Sequence, residues 1–191
     1  MNMFSEVVKK ISFFQEDEPN GKCARYTGAF HHKNIHAIRD QIYSKFRRFK
    51  DSVYTMTEGD IRDMFLMYDN LYFDGDMTEF MKNHKYTLEF RVSTKTESTF
   101  VTEGFCNQRI CNYTMTIPVD FFKGVKGRTN VAGQWCDDQL SCLQRVLEHE
   151  LSHLIVFIFC ADPTESDQHG KLFMKIVRDL FEHTDFRHYI F

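Results

Sequence analysis

The chain has 191 residues, 27% of them charged, and a formal net charge of −3, so the molecule as a whole is no bulk binder of polyanions. Hydrophobic residues make up 42%, including 20 Phe and 8 Tyr, which supplies one packed core, and only 3 Pro and 9 Gly exclude a low-complexity or disordered chain. The longest apolar run, residues 154–161, is too short to span a bilayer, and the first residues lack the order of a signal peptide, so the expected setting is intracellular, cytoplasmic or nuclear, not secreted and not membrane-bound.

Residues 1–30 have weak periodicity and include the turn-rich acidic stretch QEDEPNGK, which reads as an extension or a loosely attached first element. From 34 to 53, Ile35, Ile38, Ile42, Phe46 and Phe49 recur at three- and four-residue steps, one face of a helix. Lys33, Arg39, Lys45, Arg47, Arg48 and Lys50 fall to its other side. This basic face has two readings: a solvated helix surface, or a patch for DNA or another polyanion. Residues 1–56 are accordingly set apart as an N-terminal extension with a basic amphipathic helix, and 57–191 as the main domain.

Thr57, with Asp60 three residues later, predicts a helix start. Ile61, Met64, Phe65, Tyr68, Leu71 and Tyr72 follow at helical spacing, and Phe73-Asp74-Gly75-Asp76 is a stop signal. The period then changes to two. Tyr86, Leu88, Phe90 and Val92 alternate with polar residues, a second β-rich run covers 98–106, and a third covers 110–119, with Asn107-Gln108-Arg109 as a turn. These predict a small antiparallel sheet of at least three strands. Gly124, Gly127, Asn130 and Gly133 mark a loop. Asp137 or Asp138 caps a long helix running to about Cys160, broken at Asp162-Pro163. A last helix runs from about His169 to Phe181, with Phe173, Ile176, Val177 and Leu180 on one face. The fold class is α+β.

The six cysteines show no framework spacing and are expected as free thiols. Cys106 and Cys111, at C-x4-C spacing, lack a second pair and read as hairpin residues rather than a zinc knuckle.

The long helix carries His149-Glu150-Leu151-Ser152-His153, an H-E-x-x-H pattern. Two imidazoles at i and i+4 lie one turn apart on one helix face and can share one Zn²⁺. Glu150, beside the first ligand, is placed to act as general base on a metal-activated water. A run of apolar neighbours (Val146, Leu147, Leu151, Leu154, Ile155) surrounds the motif, and a buried helix face excludes unsatisfied histidines. A catalytic zinc needs a third protein ligand. The metzincin extension is absent, since Val156 and Phe159 stand where glycine and histidine would be required. The third ligand must follow Pro163: His169 leads, with Glu165 and Glu182 as rivals. His183 and His188 read as surface or supporting residues.

These segments resemble the SprT-like zinc metallopeptidases, the family of bacterial SprT and the eukaryotic protease Spartan. MYDNLYFDGDM (67–77), TEGFCNQRICNYTMTIPVDFF (102–122), LEHELSHLIVF (147–157) and HGKLFMKIVRDLFEHTDFRH (169–188) carry the resemblance, in the family's order. It implies a zincin-like core in which an active-site helix carrying HExxH sits with flanking helices under the small sheet. It also implies one catalytic Zn²⁺ on His149, His153 and His169, and Glu150 as catalytic acid/base. The activity implied is that of a metalloendopeptidase, which hydrolyses peptide bonds of a protein substrate by Glu-assisted attack of zinc-activated water. Spartan acts on DNA-crosslinked proteins, and a DNA-associated substrate here would rest on the basic helix face. The rival reading is a zinc-containing adaptor that binds protein or DNA without catalysis. The presence of Glu150 argues against it.

Overall fold

The computed structural model describes residues 33–94, 111–159 and 169–185, together with the backbones of three strands at 14–16, 24–26 and 100–103. Strands β1 (Phe14–Glu16) and β2 (Ala24–Tyr26) pair antiparallel as a separate hairpin, an element that the weak periodicity of this stretch did not announce.

Helix α1 (Ile35–Phe46) begins at Asn34, whose side chain accepts the Ala37 amide at 3.1 Å. It buries Ile35, Ile38, Ile42 and Phe46, as the spacing predicts. The expected helix to residue 53 instead tightens after Phe46 into a 3-10 turn, Arg47–Phe49, whose three-residue step keeps Phe49 buried on the same side. Arg39 is a correction. It lies on the apolar stripe, three residues before Ile42, and is turned into the core at 3% exposure rather than out to solvent.

Helix α2 (Glu58–Tyr72) opens with a full capping box. The Asp60 amide donates to the Thr57 hydroxyl at 3.2 Å and the Thr57 amide to the Asp60 carboxylate at 2.9 Å. It ends at Tyr72 with Phe73 as C-cap, and Asp74 and Gly75 just beyond are both in the left-handed region. A short helix not foreseen, α3 (Asp76–Asn83), starts there because the buried Asp69 carboxylate accepts the Met77 and Thr78 amides at 3.0 and 2.9 Å.

The sheet has three strands, β3 (Thr87–Ser93), β4 (Phe100–Glu103) and β5 (Asn112–Pro118), in the order β3-β5-β4. β4 pairs antiparallel with β5, but β3 pairs parallel, with Phe90 opposite Met115. The all-antiparallel expectation is therefore wrong for one of the two pairings. Ser93 lies opposite Pro118 and Phe100 opposite Thr116, so β3 ends and β4 begins at the same end of the sheet. They run as a hairpin would, but about 10 Å apart, two strand spacings, and β5 fills the gap. The central position explains why β5 buries Tyr113, Met115, Thr116 and Ile117, while the inward residues of edge strand β3 are only half covered. The turn expected at Asn107-Gln108-Arg109 and the break at Asp162-Pro163 lie outside the described residues.

After a 3-10 segment, Val119–Gly124, the expected loop contains a hairpin: β6 (Thr129–Val131) and β7 (Gln134–Cys136). Its two turn residues, Ala132 and Gly133, both have positive φ, 53° and 80°, which matches the strand twist of a two-residue hairpin.

Helix α4 (Gln139–Phe159) is capped by Asp138, whose carboxylate accepts the Ser141 amide at 2.8 Å. It runs through the core, with Leu140, Leu143, Val146, Leu147, Leu151, Leu154 and Ile155 fully buried. Helix α5 (Lys171–Phe181) packs on it, burying Phe173, Ile176, Val177, Leu180 and Phe181. The buried faces of α1, α2, α3, β5, α4 and α5 form one continuous core. The architecture is α+β, and among the described residues no helix is long and apolar enough to cross a membrane. Cys136 and Cys142 are free and buried, but Cys111 is disulfide-bonded, which departs from the expectation of six free thiols. Cys106, Cys23 and Cys160 lie outside the described residues.

Candidate metal centre

α4 presents His149 and His153 on one face, one turn apart, as the i,i+4 spacing requires. His169, twenty positions after His149, stands just ahead of α5 and closes on them from the turn that leads into that helix. The Nε2 atoms converge: His149 to His153 at 3.1 Å, and His149 to His169 at 3.2 Å. His149 and His153 are buried and His169 is half-buried. All three ligand atoms lie within 4.8 Å of one another.

This donor set fits a metal on chemical grounds. A neutral imidazole has one N–H and one lone pair, so a single proton can satisfy one close Nε2 pair but not two that share His149. A cation on three lone pairs satisfies all of them. Nitrogens bound tetrahedrally to zinc at its usual bond length stand about 3.3 Å apart, close to what is seen. Three histidines leave a fourth position for water or substrate.

Phe173 forms the floor. Its ring stacks on His153 at 4.3 Å between centroids and meets His149 and His169 edge-on at 4.9 and 5.0 Å. Sequence periodicity put Phe173 on the core face of the last helix, and nothing in that pattern showed contact with all three imidazoles. Phe157 stacks with both His153 and Tyr113, tying α4 to the central strand.

Glu150 is fully buried on α4, next to His149. Ser152 is turned to its own helix, its hydroxyl donating to the Glu148 carbonyl at 2.9 Å, so it is engaged as a helix-bonded side chain. Of the rival ligands, Glu182 is not in the cluster: it terminates α5 in a left-handed conformation and pairs on the surface with His36 at 2.9 Å. Glu165 and His188 lie outside the described residues.

The sequence missed a second cluster next door. Glu148 is fully buried and accepts from Arg39 through both oxygens at 2.7 Å, from Tyr68 at 2.7 Å, from Arg145 at 3.1 Å and from His183 Nε2 at 2.9 Å. Burial alone would raise its carboxyl pKa, but the Arg145 and Arg39 guanidiniums hold it well below the usual range. Burial lowers the His183 pKa despite its bond to Glu148, and the Arg39 and Arg145 guanidiniums add to it in the same direction. The imidazole is then neutral, and since an ionised carboxylate only accepts, Nε2 carries the proton. The available signal was Arg39 on an apolar stripe and Glu148 inside an apolar helix, two charges that burial would force to pair.

Of the six cations of the expected polyanion patch, one is buried, three are in ion pairs and two are exposed without one among the described residues. Arg39 is in the Glu148 cluster. Lys33 pairs with Asp74, Arg48 with Asp60 at 3.0 Å and Lys50 with Asp51 at 3.6 Å. Lys45 and Arg47 are exposed, with no ion pair among the described residues.

Compared with known protein families, curated proteins and solved structures, the chain matches no family model, no curated protein and no solved structure.

Proposed function

We propose that this protein is a zinc-dependent metallopeptidase of SprT-like type, with His149, His153 and His169 as the metal ligands and Glu150 as general base. The convergence of three Nε2 atoms, two from α4 and one from the turn ahead of α5, carries the reading. The H-E-x-x-H and H-G-x-x-F segments, and their resemblance to that family, supply the reaction class.

A zinc ion held there would supply Lewis acidity, lowering the pKa of water and polarising a carbonyl. The protein's own contribution is placement. His149 and His153 are fixed by a buried helix, and Phe173 closes the floor beneath the three rings. Glu150, shielded from bulk water, takes a proton from the attacking water and returns it to the leaving amine nitrogen. Substrate would be a peptide segment of another protein. A purely structural zinc site has no use for a buried carboxylate beside its first ligand, which favours catalysis over the adaptor reading.

The test is metal content and cleavage of an unfolded protein by the wild type and Glu150→Gln. Zinc bound equally to both, with cleavage by the wild type alone, is the expected result. Folded wild-type protein that takes up no zinc would overturn the metal centre. Zinc in both and cleavage in neither would favour the adaptor.

A further inference from the structure

Glu148 immediately precedes the first triad histidine, yet its bonds run to four side chains from separate parts of the chain. Arg39 comes from α1, Tyr68 from α2, Arg145 from one turn earlier on α4, and His183 from just beyond α5. Stability is a poor reason to keep such a cluster, because buried ionic groups are often replaceable by apolar ones at no loss. What a charged cluster adds is direction. Apolar packing tolerates small rolls of a helix about its axis, whereas charge-assisted hydrogen bonds near 2.7 Å fix the donor and acceptor in angle as well as distance.

The direction matters here because consecutive helix residues differ by about 100° around the axis. Fixing where Glu148 points therefore fixes where His149 points, and one turn on, His153. The cluster also reaches the third ligand's helix. His183 stands two residues past the end of α5, and Arg39 Nη2 donates to the Phe181 carbonyl at 2.6 Å. His169 stands just ahead of the opposite end of α5.

We propose that Glu148 is the positioning residue of the metal centre, with Arg39 and His183 as its two arms, presetting His149 and His153 on α4 against His169 ahead of α5. This rests on the metal reading given above. Glu148 acts through the helix and is not itself a ligand or a catalytic residue.

The experiment titrates metal-free wild type, Glu148→Gln, His183→Ala and His183→Gln with Zn²⁺ against a chromophoric chelator. It records the visible spectrum of the Co²⁺ forms and follows denaturant melts of the metal-free proteins in parallel. His183→Ala removes one of the cluster's bonds and leaves the Arg39 pair in place, so it reports even where Glu148→Gln does not fold. Expected is a loss of zinc affinity of roughly ten- to hundred-fold in folded Glu148→Gln and His183→Ala, with an altered Co²⁺ spectrum. His183→Gln, which can still donate to Glu148, should recover most of the affinity. Folded variants that melt earlier but bind zinc as the wild type does, with an unchanged Co²⁺ spectrum, would overturn the inference and leave the cluster structural. A wild type that binds no zinc is a different result and sinks the metal centre itself.

Discussion

Arg39 and Lys45 stand six residues apart on one helix, and their fates differ because of where each falls around it. Arg39 is on the buried stripe, its guanidinium in two 2.7 Å bonds to Glu148; Lys45 is exposed. Arg39→Met would leave Glu148 short of its two-oxygen guanidinium partner and should cost about 3–5 kcal/mol. Lys45→Glu should stay within roughly 0.5 kcal/mol, both measured by denaturant unfolding of metal-free protein. The same cluster sets the acid limit. Glu148 is held below its ordinary value of 4.5, so as pH falls the unfolded chain takes up that proton first. Its contribution is complete above pH 4.5 and is lost as pH drops through the depressed folded value. His183, lowered from 6.5 by burial, adds a loss of the same sign beginning below pH 6.5. The stability gap between wild type and Glu148→Gln should therefore be flat in the neutral range and shrink below pH 4.5. A gap that widens on acidification would contradict the assigned ionisation.

Helices were legible as elements because burial writes a 3.6-residue period and caps mark their ends. Ile35 to Phe46 read correctly as a helix face, as did the Thr57–Asp60 box, and of the two candidate caps Asp137 and Asp138 it is Asp138 that caps α4. The H-E-x-x-H pair was legible for the same reason, since i and i+4 share a face. His169 needed the motif, because its meeting with α4 is tertiary. Strand partners are not written in alternation. Leu88, Phe90 and Val92 show which face turns inward but not which strand lies alongside, and the parallel pairing with β5 follows only from the gap that β5 fills. The β6–β7 hairpin was missed because three-residue strands carry almost no period. Its turn now explains Gly133. A Cβ there would stand 1.8 Å from Thr184 Oγ1, and the Thr184 and Asp185 amides both donate to Ala132 O, at 3.1 and 3.3 Å. The hairpin clamps the segment that begins with His183. Gly133→Ala should cost about 2–3 kcal/mol, part from positive φ and part from overpacking. Adding Thr184→Ala should return part of it in the double mutant. No recovery would mean that the backbone penalty alone is responsible.

At the scale of the whole molecule, a metal on this triad is a cross-link between α4 and α5, helices that the chain joins through residues 160–168. Unfolding separates His149 and His153 from His169, so a ligand that needs all three binds the folded state and stabilises it by mass action. At free zinc about a thousand times Kd the gain is about 4 kcal/mol. For a chain of 150–250 residues each kcal/mol moves the melting temperature by roughly 2–4 °C, so zinc should raise it by about 8–16 °C. A chelator should reverse the rise. His169→Ala should remove most of it, because two imidazoles on one helix can hold a metal without bridging to α5. The metal-free melt of His169→Ala should stay close to that of the wild type, since the side chain is only half-buried and sits ahead of the helix rather than in the core. A zinc-induced rise of equal size in wild type and His169→Ala would place the stabilising metal somewhere other than this triad. A large loss in the metal-free melt would instead make His169 a packing residue first.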